Sequence, residues 1–401
     1  MDVIVQKYGG TSLATPARIA SVADRVVATR KDGHQVAVVV SAMGESTDEL
    51  MALAWKVSKA PPKRELDMLL TSGERIAMSL LAMAINDRGC PALSFTGSQS
   101  GIITDAEHTR AKIVEVRADR IRQALEAGKV AIVAGFQGMS PEREITTLGR
   151  GGSDTTAVAL AVALGARECQ IYTDVDGVYT ADPRVVGEAR KLDRITYDEM
   201  VELASLGAQV LHPRSVELAA KHGLPVLVAS SFDNTQGTKV EQKTSLEAVR
   251  VRGIASDQKV VLFTLPSVPR KVHGVSQVVV GLARQGIPIK LFFHGASGRK
   301  NVDLLFLVGE EHAQKAKGAL SKASRRLGAR GLQQNDGVGT VSVVGLGIGR
   351  EPEILATLFE VASKLHAHIE AVSTSEIKIT CVLERVKVAS LARALHKAYK
   401  L

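Results

Sequence analysis

Val3-Ile4-Val5-Gln6-Lys7-Tyr8-Gly9-Gly10-Thr11-Ser12 opens the chain with a β-branched run, a lysine, two glycines and two hydroxyls. A short apolar run that ends on a glycine turn reads as a buried strand over residues 3–7. Thr15-Pro16 then offers an N-cap and a first-turn proline for a helix reaching about Thr29. Strand, glycine turn and helix in that order make a phosphate cradle, because glycine N–H groups can approach an anion closely. Lys7 adds a fixed cation beside it. A tight turn with a surface lysine is the plainer account, but a lysine ending an apolar strand has to reach some partner.

The same logic recurs downstream. Residues 35–42, Val130–Ala134 before Gly135, and Glu168–Thr173 before Asp174-Val175-Asp176-Gly177 read as further strands. Helical stretches at 65–88, 117–127 and 154–164 separate them, and a strand at 225–230 is expected to close the unit, with 234–245 as its exit. The alternation predicts an α/β fold with a mostly parallel sheet between helical layers. In such sheets ligands bind at the C-terminal edge of the strands, so candidate residues distant in sequence gather on one rim.

With 401 residues the chain exceeds what one core usually serves. The remainder carries a weak repeat. Residues 259–265, 275–284 and 287–293 read as strand, helix and strand, and are echoed by 340–346, 354–365 and 368–372 at an offset of about 80 residues. That pattern suits two small βαββαβ modules without clustered catalytic residues. The three cysteines, Cys90, Cys169 and Cys381, have neither disulfide nor metal spacing, and no metal site is expected from the protein alone. The first residues lack the features of an export signal, and apolar runs such as 36–40 are strand-sized, so a cytoplasmic protein without membrane insertion is expected. The net charge of +9 is spread along the chain with only 3% aromatic residues, which argues against nucleic acid and fits small anionic substrates.

A second glycine-rich segment, Leu148-Gly149-Arg150-Gly151-Gly152-Ser153-Asp154-Thr155-Thr156, approaches a helix start. Ser153 or Asp154 suits a helix cap. Capping alone leaves Arg150 unexplained, since an arginine among glycines can clamp a carboxylate or phosphate close to backbone.

Together with residues 7–12, Ser41-Ala42-Met43-Gly44, Thr71-Ser72-Gly73-Glu74-Arg75 and the segment 172–184, these motifs resemble the aspartate kinases of the amino-acid kinase superfamily. Residues 372–379 are similar to that family's second ACT module, so the resemblance spans nearly the whole chain. It implies a three-layer catalytic domain at 1–245 and ferredoxin-like ACT domains at 246–335 and 336–401, with dimers formed through the ACT domains. It further implies that Lys7 neutralises the phosphoryl group in flight while Gly9, Gly10, Thr11 and Ser12 hold it, and that Asp154 orients Lys7 and the Mg²⁺-bound phosphates. Ser41, Thr47, Glu74, Arg150 and Ser153 would bind L-aspartate. Thr173, Asp174, Tyr179, Asp182 and Arg184 would contact ATP.

Departures from the family pattern concern nucleotide and effector binding. Gln209 stands where relatives commonly have a nucleotide-binding lysine, which predicts somewhat weaker ATP binding. The first module reads Pro266-Ser267-Val268-Pro269-Arg270-Lys271-Val272-His273-Gly274, and the second has Glu353 where the family has a glycine. Bulk and negative charge at an amino-acid carboxylate site predict weak or unusual inhibition by lysine and threonine. Two other readings stand beside this one: a kinase for glutamate or acetylglutamate, and a silent amino-acid sensor.

Overall fold

The computed structural model describes residues 2–207, 210–242, 251–270, 274–297 and 300–401. Gln209 and residues 271–273 of the first module lie outside the described residues. The chain divides into two compact units: Met1–Tyr179, Lys191–Ser205 and Gln209–Ala248 form one, and Thr180–Arg190, Leu206–Ala208 and Val249–Leu401 the other.

The first unit begins β1 (Val3–Tyr8), α1 (Pro16–Lys31), β2 (Gln35–Val40), α2 (Ser46–Val57), α3 (Lys63–Asn86) and β3 (Ala92–Phe95). It continues with β4 (Ile102–Thr104), β5 (Ile113–Val116), α4 (Asp119–Glu126), β6 (Val130–Ala134), β7 (Gln137–Met139) and β8 (Ile145–Thr147). Then come α5 (Gly152–Leu164), β9 (Glu168–Thr173), β10 (Arg194–Ile195), α6 (Tyr197–Ser205), α7 (Pro213–His222), β11 (Val226–Ser230) and β12 (Thr238–Val240). Eight strands form one sheet in the order β10-β12-β11-β9-β1-β2-β6-β3, parallel except for β11 with β12. The strand at 225–230 was expected to be the last; instead β12 follows it, folds back antiparallel and carries β10 at the edge.

The central strands are continuous β-branched runs because both faces are covered. On one face Tyr8, Val36, Val38, Val40, Val130 and Ile132 form a core with Val22 and Val26 of α1 and Leu81 and Ile85 of α3. On the other lies α5, whose residues 152–161 are all buried, as expected of a helix apolar around its whole circumference. By length and composition α3 could cross a membrane, yet half of that window is buried inside the fold, where it forms part of the core. The short strands β4, β5, β7 and β8 make a separate sheet in the order β5-β4-β7-β8.

The second unit contains two four-stranded antiparallel sheets. In one, β14 (Val260–Pro269), α8 (Gly274–Arg284), β15 (Leu291–Ser297), β16 (Asn301–Gly309), α9 (Ala313–Leu327) and β17 (Gln333–Asn335) follow each other, with the strands ordered β15-β16-β14-β17. This is the expected βαββαβ module, although β15 starts at Leu291 rather than 287, because Ile287 is buried in the turn that closes α8. The other sheet joins β18 (Val338–Val344), β19 (Ile369–Thr374) and β20 (Lys378–Glu384) beneath α10 (Pro352–Lys364) and α11 (Val388–Ala398). Its order is β13-β18-β20-β19, and the place of a fourth strand is taken by β13 (Gly253–Asp257), which precedes the whole first module. The modules are therefore not consecutive along the chain.

Candidate active site

Register brings the strand ends into line. Tyr8 pairs with Val40 and with Tyr172, Val40 with Ala134, and Thr173 with Ser230. The next residues, Gly9, Ser41, Gly135, Asp174 and Ser231, consequently share one rim. The chain leaves β1 for β2 on one side and returns to β9 on the other, so the crevice of a doubly wound sheet opens here.

Lys7 is the next-to-last residue of β1, with only 9% of its surface exposed, and its Nζ lies 2.7 Å from Asp154 Oδ1. The Lys7 ammonium is thus the ionic partner of Asp154 Oδ1 in a pair almost wholly removed from solvent. Asp154 stands in the first turn of α5, where the helix N-terminus favours a negative charge. The expected capping by Ser153 or Asp154 is not formed, because α5 starts earlier, after Gly151 in the left-handed region, and both side chains fall inside the helix. Ser153 instead faces Gly135, where an added Cβ would come within 2.8 Å of its Oγ.

The glycine turn is tied to its neighbours. The Gly9 N–H donates to Tyr172 O (3.2 Å), Ser12 N–H to Gly9 O (3.1 Å) and Leu13 N–H to Gly10 O (3.1 Å). These bonds leave Gly10 and Thr11 as the remaining backbone donors of the turn. The hydroxyl of Ser12 donates to Ser231 Oγ (2.8 Å), which in turn donates to Thr173 O (3.1 Å). Ser231 was absent from the sequence reading, yet it directly follows β11, and the strand-end rule would have found it.

Glu74 projects from α3 with 3% exposure. Its Oε1 accepts the Ala42 N–H (3.1 Å), while Oε2 has no partner. Burial raises its carboxyl from 4.5 to about 7, opposed in part by the Ala42 bond. Ala42 also borders the cradle, since a Cβ on Gly10 would lie 2.9 Å from its carbonyl oxygen. Ser41 is half-buried beside it and donates its N–H to Tyr8 O (3.1 Å), and Thr47 is half-buried in the first turn of α2.

Arg150 is exposed and forms no ion pair among the described residues. Gly149 and Gly151 flank it with φ of 76° and 70°. Any side chain at 151 would overlap the imidazole of His212, so this turn needs glycine for space as well as for conformation. His212 accepts the Arg214 N–H to cap α7, and burial lowers its pKa against the opposing charge of Asp154.

Of the residues expected at the nucleotide, Thr173 donates to Asp174 Oδ1 (3.0 Å) at the end of β9. Tyr179 donates its hydroxyl to Asp176 Oδ1 (2.9 Å), and Asp176 pairs with Lys191 (3.0 Å). Asp182 and Arg184 pair with each other at 2.8 Å within Thr180–Arg190, a segment that packs in the second unit through Ala181 and Val186. His212 and Arg214, to which the sequence assigned no role, prove to support the Arg150 turn.

Residues 2–230 match the amino acid kinase family, and residues 341–399 match the ACT domain. An aspartokinase of Bacillus sp. (strain MGA3) is 44% identical over 402 residues, which cover 100% of this chain and 98% of that protein. An aspartokinase of Mycobacterium tuberculosis is 45% identical over 410 residues, covering 100% and 97%. Among solved structures, E. coli aspartokinase III in complex with aspartate and ADP superposes with a TM-score of 0.83 at 26% identity, covering 99% of both chains. Identity of this extent runs the whole length of the chain, through both units: the chain belongs to the aspartokinase family.

Proposed function

We propose that the rim binds ATP and L-aspartate together and transfers the terminal phosphoryl group to the β-carboxylate, giving 4-phospho-L-aspartate. The observation that carries this reading is Glu74: a buried carboxylate with one oxygen unpartnered is a receptor for an ammonium group. Arg150, unpaired and held between glycines, supplies the complementary cation for a carboxylate, so the two together recognise a zwitterionic amino acid. Ser41, Thr47 and Ser153 complete the substrate side in this reading. Thr173, Asp174, Tyr179, Asp182 and Arg184 are assigned to the nucleotide, and that Gln209 replaces a cation there remains part of the proposal.

The chemistry needs little more. A side-chain carboxyl with a pKa near roughly 4 is already ionised at neutral pH, so no general base is required. The difficulty is bringing one anion to another, and Lys7 with the Gly10 and Thr11 N–H groups neutralises charge on the transferring group. Among the described residues no cluster of three His, Cys, Asp or Glu cages a metal, but Mg²⁺ on a nucleotide takes most of its ligands from phosphate and water. Asp154, a buried carboxylate beside Lys7 at the start of α5, is the one here that fits it. When bound, Mg²⁺ supplies charge neutralisation and orientation of the phosphates.

We assign the first unit to catalysis and the antiparallel modules of the second to effector binding and dimer formation, in a cytoplasmic enzyme of the lysine, threonine and methionine branch. Purified protein incubated with ATP, Mg²⁺ and hydroxylamine is expected to form the hydroxamate from L-aspartate and not from glutamate or acetylglutamate. Hydroxamate from glutamate alone, or from no amino acid, would reject the proposal.

A further inference from the structure

The end of β8, which leads into the Arg150 turn, is bonded to a carboxylate that the reaction does not use. Asp67, on α3, has 0% exposure and three donors around it. His108 Nδ1 lies 2.6 Å from Oδ2, the Thr147 hydroxyl donates to Oδ1 at 2.6 Å, and the Thr109 N–H lies 3.1 Å from Oδ1 and 3.2 Å from Oδ2. A fully buried carboxylate persists only with such compensation. Its partners belong to two segments, the loop at 105–111 and the end of β8 that leads into the Arg150 turn.

Those segments are fastened to each other as well. Ala111 N–H donates to Thr147 O (2.9 Å), and the Arg214 guanidinium donates to Leu148 O (2.9 Å) and Ala111 O (3.2 Å). Thr109 takes a positive φ of 70°, unfavourable for a β-branched residue, and its N–H is the group that Asp67 holds. In that conformation the Thr109 carbonyl backs directly onto Gly149, where an added Cβ would lie 3.0 Å from it. The turn bearing Arg150 thus has a wall fixed by Asp67 on one flank and by His212 and Arg214 on the other.

Asp67 and Glu74 are two helical turns apart, on the same face of α3. We propose that Asp67 is a positioning residue: by locking the 105–111 loop and β8 to α3, it sets the Arg150 turn at a fixed distance from Glu74. The helix then gauges the separation of the cation and the anion that receive the two ends of a small zwitterionic acid. This rests on the substrate reading above and adds to it the element that makes the site selective for length.

The test starts from wild type and Arg150→Ala. Hydroxamate formation by the former and a raised KM for aspartate in the latter uphold the substrate reading, and their absence would be a failure of that reading rather than of Asp67. Given both, Asp67→Asn removes the charge and turns one of two acceptor oxygens into a donor facing the Thr109 N–H, and is expected to raise the KM for aspartate by about tenfold or more. The KM for ATP should change less than about twofold. In the Arg150→Ala background the same substitution should add little, since its effect passes through Arg150. Equal rises in both KM values, an unchanged KM for aspartate, or the full increase persisting without Arg150 would overturn the proposal. Thr147→Val, which removes one donor and keeps the volume, is the second variant should Asp67→Asn fail to fold. It is expected to show the same selective rise in the KM for aspartate, several-fold in size, and a rise shared with ATP would count against the role.

Discussion

Glu74 carries the most informative single charge in the site. Burial holds its carboxyl near 7, so below that pH the free enzyme keeps it protonated, while an unfolded chain ionises it above 4.5. The folded state binds the extra proton between these values, so this group's contribution to stability declines as pH rises from 4.5 to about 7. A substrate ammonium needs the ionised form, so aspartate binding should expel that proton. The Kd for aspartate is expected to fall by up to about tenfold per pH unit on approaching 7 from below, and then to level off. Calorimetric titrations across pH 6 to 8 measure it, and in Glu74→Gln the slope should vanish; an identical slope in that variant would assign the proton elsewhere. Arg150 was legible in the sequence because it is a charge set among glycines, whereas Glu74 was reached only through the resemblance of residues 71–75 to a known family, since nothing in the sequence shows that its helix face is buried. Asp67 was not legible, because it reads as one polar residue on an amphipathic helix while its partners lie at 108, 109 and 147.

At the scale of elements, the cradle depends on how closely β1 and the segment after β2 approach. A Cβ on Gly10 would sit 2.8 Å from Gly44 O and 2.9 Å from Ala42 O. Both are backbone atoms, and Gly44 is itself bonded through its N–H to Gly10 O (2.9 Å), so neither can yield cheaply. Gly10 has φ of −59°, so alanine there meets a steric problem without backbone strain. Gly10→Ala is expected to cost about 1–3 kcal/mol, read from the denaturant midpoint, and to weaken nucleotide binding as the turn is displaced. A variant with wild-type midpoint and affinity would show that the cradle is softer than its contacts imply. The parallel strands could be read because burial on both faces makes them unbroken apolar runs. The sheet of β4, β5, β7 and β8 escaped, since three- and four-residue strands give no period to detect, and β12 was hidden in a polar stretch taken for an exit.

Across the whole molecule the question is what the antiparallel modules still sense. Glu353 lies exposed in the first turn of α10, where a helix N-terminus would otherwise be free to receive a carboxylate, and its own charge occupies that field. Lysine and threonine are expected to inhibit weakly, with less than about half of the activity lost at millimolar concentration, and Glu353→Gly is expected to strengthen the response. Steady-state assays with each amino acid, alone and together, decide it, and strong inhibition at micromolar lysine would show that the effector site lies elsewhere. The weak repeat did reveal two modules, but their threading could not be seen: a period reports similarity of segments, not which strand completes which sheet.

That threading has a consequence for how the chain can be cut and made. Because β13 lies before residue 258 and its neighbour β18 after 337, the last sheet encloses the other module as an insertion in its own sequence. A ribosome would release β13 long before its mate exists, leaving it waiting through the synthesis of an entire intervening domain. A fragment begun at residue 259 would expose the bare edge of Val338–Val344, seven buried residues in a row, ready to recruit a strand from another copy. Any separately produced regulatory piece must therefore start upstream of Gly253 to remain self-sufficient.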